Sequence, residues 1–177
     1  SKKRNILKKK NDLNNNFFFK KLLSYAWFQD SKIIASFLSI KSEIATTSFN
    51  CFIENQGKIL CLPAISKENN ELLRFKSYSN SDDLIVGKFN IEEPNNNKFY
   101  LPDLIFTPCL GFDLNGFRLG YGGGYYDKTI SYLYSIGHNF LTIGLAYDDQ
   151  KVAKVFHDYY DQKLNYILTE KQLYKIL

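Results

Sequence analysis

Six of the ten glycines in this chain fall between positions 111 and 124, within Gly111-Phe-Asp-Leu-Asn-Gly-Phe-Arg-Leu-Gly-Tyr-Gly-Gly-Gly-Tyr-Tyr-Asp-Lys128. Glycine has no Cβ and enters left-handed backbone freely, so this density marks a place where the chain turns sharply or lets another group approach the main chain. Ahead of it, Asp103-Leu-Ile-Phe-Thr-Pro108 reads as a short apolar strand closed by proline. Behind it, Tyr126, Ile130, Leu133 and Tyr134 recur at helical spacing, Lys128, Ser131 and Ser135 take the other side, and Gly137 supplies the stop. Strand, glycine-rich loop and helix start, in that order, aim unpaired N–H groups and the positive end of a helix dipole at one point, an arrangement that suits phosphate. The loop is not a P-loop, because Tyr125 rather than lysine follows Gly124, and the same tyrosine breaks the dinucleotide fingerprint. A glycine-rich surface turn remains the plain alternative.

The apolar pattern elsewhere predicts a basic helix over about 2–13, broken by Asn14-Asn15-Asn16, and a second helix carrying Phe19, Leu22, Leu23, Ala26 and Trp27. A strand apolar on both faces is expected over 33–38, followed by a helix capped by Thr46 or Thr47 that carries Phe49, Phe52 and Ile53 and stops at Gly57. Further strands are expected over 58–62, 71–76, 103–107, 140–146 and 164–168, with 78–101 as an irregular connection. Helices between strands imply a single-domain α/β fold, Rossmann-like and three-layered: a mostly parallel sheet with helices on both faces. Right-handed crossovers then set the glycine-rich loop at the carboxyl ends of the strands, where such sheets bind ligands.

The net charge of +5 over 177 residues raises the question of nucleic acid. Lys2, Lys3, Arg4, Lys8, Lys9 and Lys10 crowd the amino terminus, however, and the remainder is close to neutral. No RNP-like motif, zinc finger or basic stripe is present, so no nucleic-acid partner is expected, and the basic segment suits an anionic small molecule or is simply solvated. No run reaches the ~18 apolar residues of a membrane span, and no signal-like start is seen, so the expectation is a cytoplasmic protein without membrane contact. Cys51, Cys61 and Cys109 lack metal-ligand spacing and read as buried, reduced thiols.

The run 103–113 together with Gly116-Phe-Arg-Leu-Gly-Tyr-Gly-Gly-Gly-Tyr-Tyr-Asp127 resembles the central motif of the 5-formyltetrahydrofolate cyclo-ligases, also called methenyltetrahydrofolate synthetases. Blocks at 37–46, 58–63, 87–94, 143–150 and 167–170 extend the resemblance over nearly the whole chain. It implies ATP as co-substrate, Mg2+ and a reduced folate, in an enzyme expected to act as a monomer. By the same resemblance, ATP lies against Arg118, Leu119, Gly120, Tyr121, Gly122, Gly123, Gly124, Tyr125 and Tyr126, with Lys3, Arg4 and Lys8 as the amino-terminal basic contacts. Folate is assigned to Leu38, Glu43, Phe89, Tyr121, Gly122, Gly123, Gly124 and Tyr125, the metal to Asp127 and Asp161, and catalysis to Arg118, Tyr125 and Asp127. Many members carry a second basic residue among the glycines, and this chain has none there, so phosphate contact is expected to rest on main-chain amides and Arg118. A module of the same fold that binds nucleotide or folate without catalysis is the alternative.

Overall fold

Alternation of side chains along the inner strands decides how the layers form. In the computed structural model, which describes residues 18–41, 43–66 and 71–176, the strands are β1 (Ile33–Ala35), β2 (Ile59–Ile65), β3 (Leu73–Ser77), β4 (Leu84–Val86), β5 (Glu92–Pro94), β6 (Phe99–Tyr100), β7 (Leu104–Pro108), β8 (Gly111–Phe112), β9 (Arg118–Leu119), β10 (Leu141–Leu145), β11 (Tyr166–Leu168) and β12 (Leu173–Lys175). The α-helices are α1 (Ala26–Asp30), α2 (Thr47–Asn55) and α3 (Tyr125–Ser135). Eight strands form one sheet in the order β12-β11-β10-β7-β1-β2-β3-β6. Its inner five, β11 to β2, are parallel, and β12, β3 and β6 run antiparallel at the margins.

Both faces are covered. Ile34, Leu60, Leu104 and Phe106 point to one side, where they meet Phe49 and Ile53 of α2 and the aromatic segment Phe18, Phe19, Leu22 and Phe28. Ala35, Cys61 and Ile105 point to the other, against Ile130 and Leu133 of α3. Strands buried on both faces read as continuous apolar runs, as 33–35 and 104–106 do. The crossover from β1 through α2 leads to β2, and that from β7 through α3 leads to β10, on opposite faces and in opposite directions along the sheet. The sheet therefore reverses between β1 and β7, and the carboxyl ends of these neighbours open a crevice.

Several sequence expectations are corrected. The helix expected from Phe19 to Trp27 is a 3-10 segment, Phe18–Ser24, broken from α1 by extended Tyr25. The first strand ends at Ala35, since the chain beyond it bends to feed α2. Thr46 occupies the helix start, but its hydroxyl donates to the Phe37 carbonyl (2.6 Å) instead of capping. The stretch 78–101 contains β4, β5 and β6, and the glycine-rich run contains the β8–β9 hairpin. On α3, Tyr134 is 46% exposed, and buried Thr129 takes the inward position, accepting a hydrogen bond from Leu73 N (2.8 Å) that ties the helix to β3. The expected helix over 2–13, with Lys3, Arg4 and Lys8, lies outside the described residues. No helix among the described residues is long and apolar enough to cross a membrane.

Candidate active site

The loop after β7 is shaped first by Asp113. Its buried carboxylate accepts from Asn115 N (3.0 Å) and Phe117 N (3.1 Å) within the hairpin, and from Val155 N (2.9 Å) across the molecule. Gly116, at φ 94, seats the hairpin turn so tightly that a Cβ would stand 2.8 Å from Ile176 and 3.1 Å from the Leu164 carbonyl. Fixed at both points, the hairpin turns Arg118 inward, with only 6% of its side chain exposed.

There Arg118 meets Asp127, in the first turn of α3. Nη1 donates to Oδ1 and Nη2 to Oδ2, both at 3.0 Å, a bidentate pair of the strong, directional kind. Gln162 N donates to the same Oδ1 at 3.0 Å, so the carboxylate is held from two sides. The fork that sequence reading reserves for phosphate is thus closed on Asp127. Three of the five guanidinium N–H donors stay outside that pair, and Oδ2 keeps an unused lone pair.

Between the pair and the helix, the main chain is open. A Cβ at Gly120 or Gly122 would meet nothing within 4 Å, and at Gly124 only the distant end of Lys128. Gly122 (φ 87) and Gly124 (φ 66) are left-handed, which requires glycine here, and Gly124 is the residue from which α3 starts. Leu119 and Tyr121 are exposed at the rim. Beside the head of this eleven-residue helix the main chain at Gly120, Gly122 and Gly124 is therefore uncrowded on its Cβ side, while the Tyr125 ring covers Gly123.

The loop after β1 forms the opposite wall. Lys41 Nζ lies 5.0 Å from the centre of the Tyr121 ring, joining the loops that follow β1 and β7. Leu38 is half-buried, and Glu43, far from being a solvated loop acid, is only 3% exposed, with Oε2 accepting from Ile40 N at 2.9 Å. Burial pushes the Tyr126 hydroxyl far above its ordinary pKa, the nearby Glu43 carboxylate adds to this, and Arg118 partly offsets it. That hydroxyl is buried without a hydrogen-bond partner among the described residues. Cys109, likewise beside Arg118 and Glu43, is pushed up to about 12, chiefly by burial, and is no thiolate nucleophile. Phe89, 63% exposed at the tip of the β4–β5 hairpin, comes edge-on to Tyr125 with ring centres 6.0 Å apart.

Asp161 sits in the segment that supplies Gln162 to Asp127. Its Oδ2 accepts from Asp158 N (2.9 Å), leaving its other oxygen outside that bond. Among the described residues no three His, Cys, Asp or Glu side chains gather as a metal cluster. The structure thus joins Arg118 to Asp127 and Tyr126, sets Glu43 near Tyr126, and brings Phe89 to Tyr125 and Lys41 to Tyr121. Sequence reasoning missed Lys41 and Gln162, the second acting through a main-chain N–H that no side-chain pattern reports. Cys51, expected to be buried, is half-buried on α2.

Fold and site together define a doubly wound α/β protein with a glycine-rich loop and a bidentate Arg118–Asp127 pair beside its switch point. A model of the 5-formyltetrahydrofolate cyclo-ligase family matches residues 1–170, and the chain belongs to that family. It is similar to the 5-formyltetrahydrofolate cyclo-ligase of Haemophilus influenzae, 33% identical over 145 residues that cover 79% of this chain and 76% of the relative. The Mus musculus cyclo-ligase is 31% identical over 162 residues, covering 85% and 79%. Among solved structures, the Aquifex aeolicus 5,10-methenyltetrahydrofolate synthetase superposes with a TM-score of 0.72 at 31% identity, covering 90% of this chain and 79% of that one.

Proposed function

We propose that the protein closes 5-formyltetrahydrofolate to 5,10-methenyltetrahydrofolate with ATP, releasing ADP and phosphate, in the cytoplasm and as a single-domain monomer. The observation that carries this reading is the uncrowded main chain at Gly120, Gly122 and Gly124 beside a carboxylate held by Arg118. A formyl group on a ring nitrogen is a poor electrophile, because the nitrogen lone pair is delocalised into the carbonyl. Transfer of the γ-phosphoryl group to the formyl oxygen converts that oxygen into a leaving group. The bridge nitrogen then attacks the formyl carbon, loses its proton, and phosphate departs as the ring closes.

No protein nucleophile is required; positioning and charge neutralisation are. The glycine amides grip the phosphates, a task made heavier by the absence of a second basic side chain in the loop. Arg118 sets the carboxylate and keeps donors for phosphate oxygen. Glu43, buried at the crevice wall, accepts from the amino-pyrimidine edge of the pterin, and Phe89 and Tyr125 supply flat rings against it. The residues fit Mg2+: such an ion takes one or two carboxylates with phosphate oxygens and waters, and Asp127 Oδ2 and Asp161 both have lone pairs to give. When bound, the ion neutralises charge growing on the transferred phosphoryl group.

The test is formation of methenyltetrahydrofolate, followed by its near-ultraviolet absorbance. Turnover is expected with ATP and Mg2+, and none without ATP or with excess EDTA. Single-turnover binding of both ligands without product would instead favour a binding module.

A further inference from the structure

We propose that Lys76 is a positioning residue for the folate site: its buried ion pair with Glu93 latches the β4–β5 hairpin to the main sheet and thereby holds the Phe89 ring against Tyr125. The inference rests on the folate reading of that crevice. It begins with a residue that the alternation of β3 does not account for. Phe75 enters the core under α3, so the next residue faces the opposite layer, across from buried Leu62, and this residue is a lysine only 6% exposed. A buried ammonium is costly unless paired and hydrogen-bonded. Lys76 Nζ donates to Glu93 Oε1 (3.1 Å) and to the Pro94 carbonyl (3.1 Å), both on β5.

Those bonds matter because β4 and β5 pair only with each other and form a sheet of their own. A further side-chain tie near this junction, Asn96 Nδ2 to the Ser77 carbonyl at 2.9 Å, lies beyond the end of β5. The latch also reaches the turn directly. Glu93 Oε2 fills the space a Cβ on Gly87 would need, at 2.8 Å, and Gly87 N donates to the Ile91 carbonyl to close the turn. Within that turn Phe89 (φ 60) and Asn90 (φ 58) are both left-handed. An aromatic residue keeps such a backbone only when its surroundings over-determine it. Lys76 touches neither Phe89 nor Tyr125, so it acts on the site through the hairpin.

The experiment is steady-state kinetics of Lys76→Met, Glu93→Gln, Phe89→Ala and the double variant Lys76→Met/Phe89→Ala, with each substrate varied in turn. Lys76→Met and Glu93→Gln are expected to raise KM for 5-formyltetrahydrofolate roughly five- to tenfold, the scale of one loosened aromatic contact. KM for ATP and kcat should stay within about twofold, and Lys76→Met should add nothing beyond that margin to the folate defect of Phe89→Ala. Lys76→Arg should restore most of the folate affinity. An unchanged folate KM with a lowered Tm, or full additivity with Phe89→Ala, would overturn the latch. If Lys76→Met does not fold, Glu93→Gln carries the same comparison. Wild-type protein that neither binds nor converts 5-formyltetrahydrofolate would instead remove the folate reading and the inference with it.

Discussion

Two carboxylates show how neighbours set the role of a side chain. Asp127 is held by Arg118 and by Gln162 N, in a site where only 16% of the Asp127 side chain and 6% of the Arg118 side chain are exposed. Removing one partner of such a pair strands the other. Arg118→Ala is therefore expected to destabilise the fold by about 3 kcal/mol, read as a shifted urea midpoint. By the same reasoning an alanine at position 127 would confuse stability with chemistry. Asparagine keeps the shape and one oxygen for Gln162 N and Arg118 Nη1, but its amide donor faces Nη2 and the guanidinium loses its counter-charge, so a lowered Tm is expected there too. Asp148 is the second case. Burial, its largest influence, pushes its pKa up, but hydrogen bonds from Tyr174 and Lys171, the Lys171 charge and Thr169 together bring it below the ordinary 3.8. A depressed carboxylate contributes stability above its unfolded pKa and loses it as pH falls through the folded value. Acid denaturation of wild type should thus steepen below pH 3.8, and Asp148→Asn should flatten that limb. An identical acid limb in the two proteins would remove the assignment.

At the scale of elements, the glycine-rich run combines two kinds of constraint that look alike in sequence. Gly116 is packed against Ile176 and the Leu164 carbonyl, while Gly122 opens onto nothing within 4 Å, although both are left-handed. Gly116→Ala should cost about 2–4 kcal/mol through strain plus overpacking, and Gly122→Ala about 1–2 kcal/mol through strain alone, in denaturant titrations of each. Sequence alone does not separate them, because the contacts of Gly116 come from residues about 50 and 60 positions away. The strand–loop–helix order around this run was legible, since 104–106 is apolar on both faces and α3 keeps its spacing. The β8–β9 hairpin inside it was not, for two-residue strands carry no alternation to read. The β4–β5 hairpin hid for a related reason: its short strands are partly exposed, and its tie to the sheet is a buried lysine, a residue type that patterning ordinarily assigns to solvent.

Across the molecule, the parallel sheet reverses between β1 and β7, which brings Glu43, forty residues into the chain, beside a helix that starts at Tyr125. The layer order followed from strands alternating with helices, and so did the location of the glycine-rich loop at the carboxyl end of β7. What patterning could not supply was the inward turn of Arg118, which follows from the hold of Asp113 on Val155 N across the molecule, and the burial of Glu43, whose carboxylate accepts from Ile40 N within its own loop. In the proposed mechanism Asp127, a held carboxylate, acts on phosphoryl transfer and does not merely complement a helix dipole. The direct measurement is kcat of Asp127→Asn at saturating 5-formyltetrahydrofolate, ATP and Mg2+, alongside its Tm. A loss on the order of a hundredfold or more, measured at a temperature where the variant's Tm shows it fully folded, is the predicted result. Turnover comparable to wild type under those conditions would contradict it.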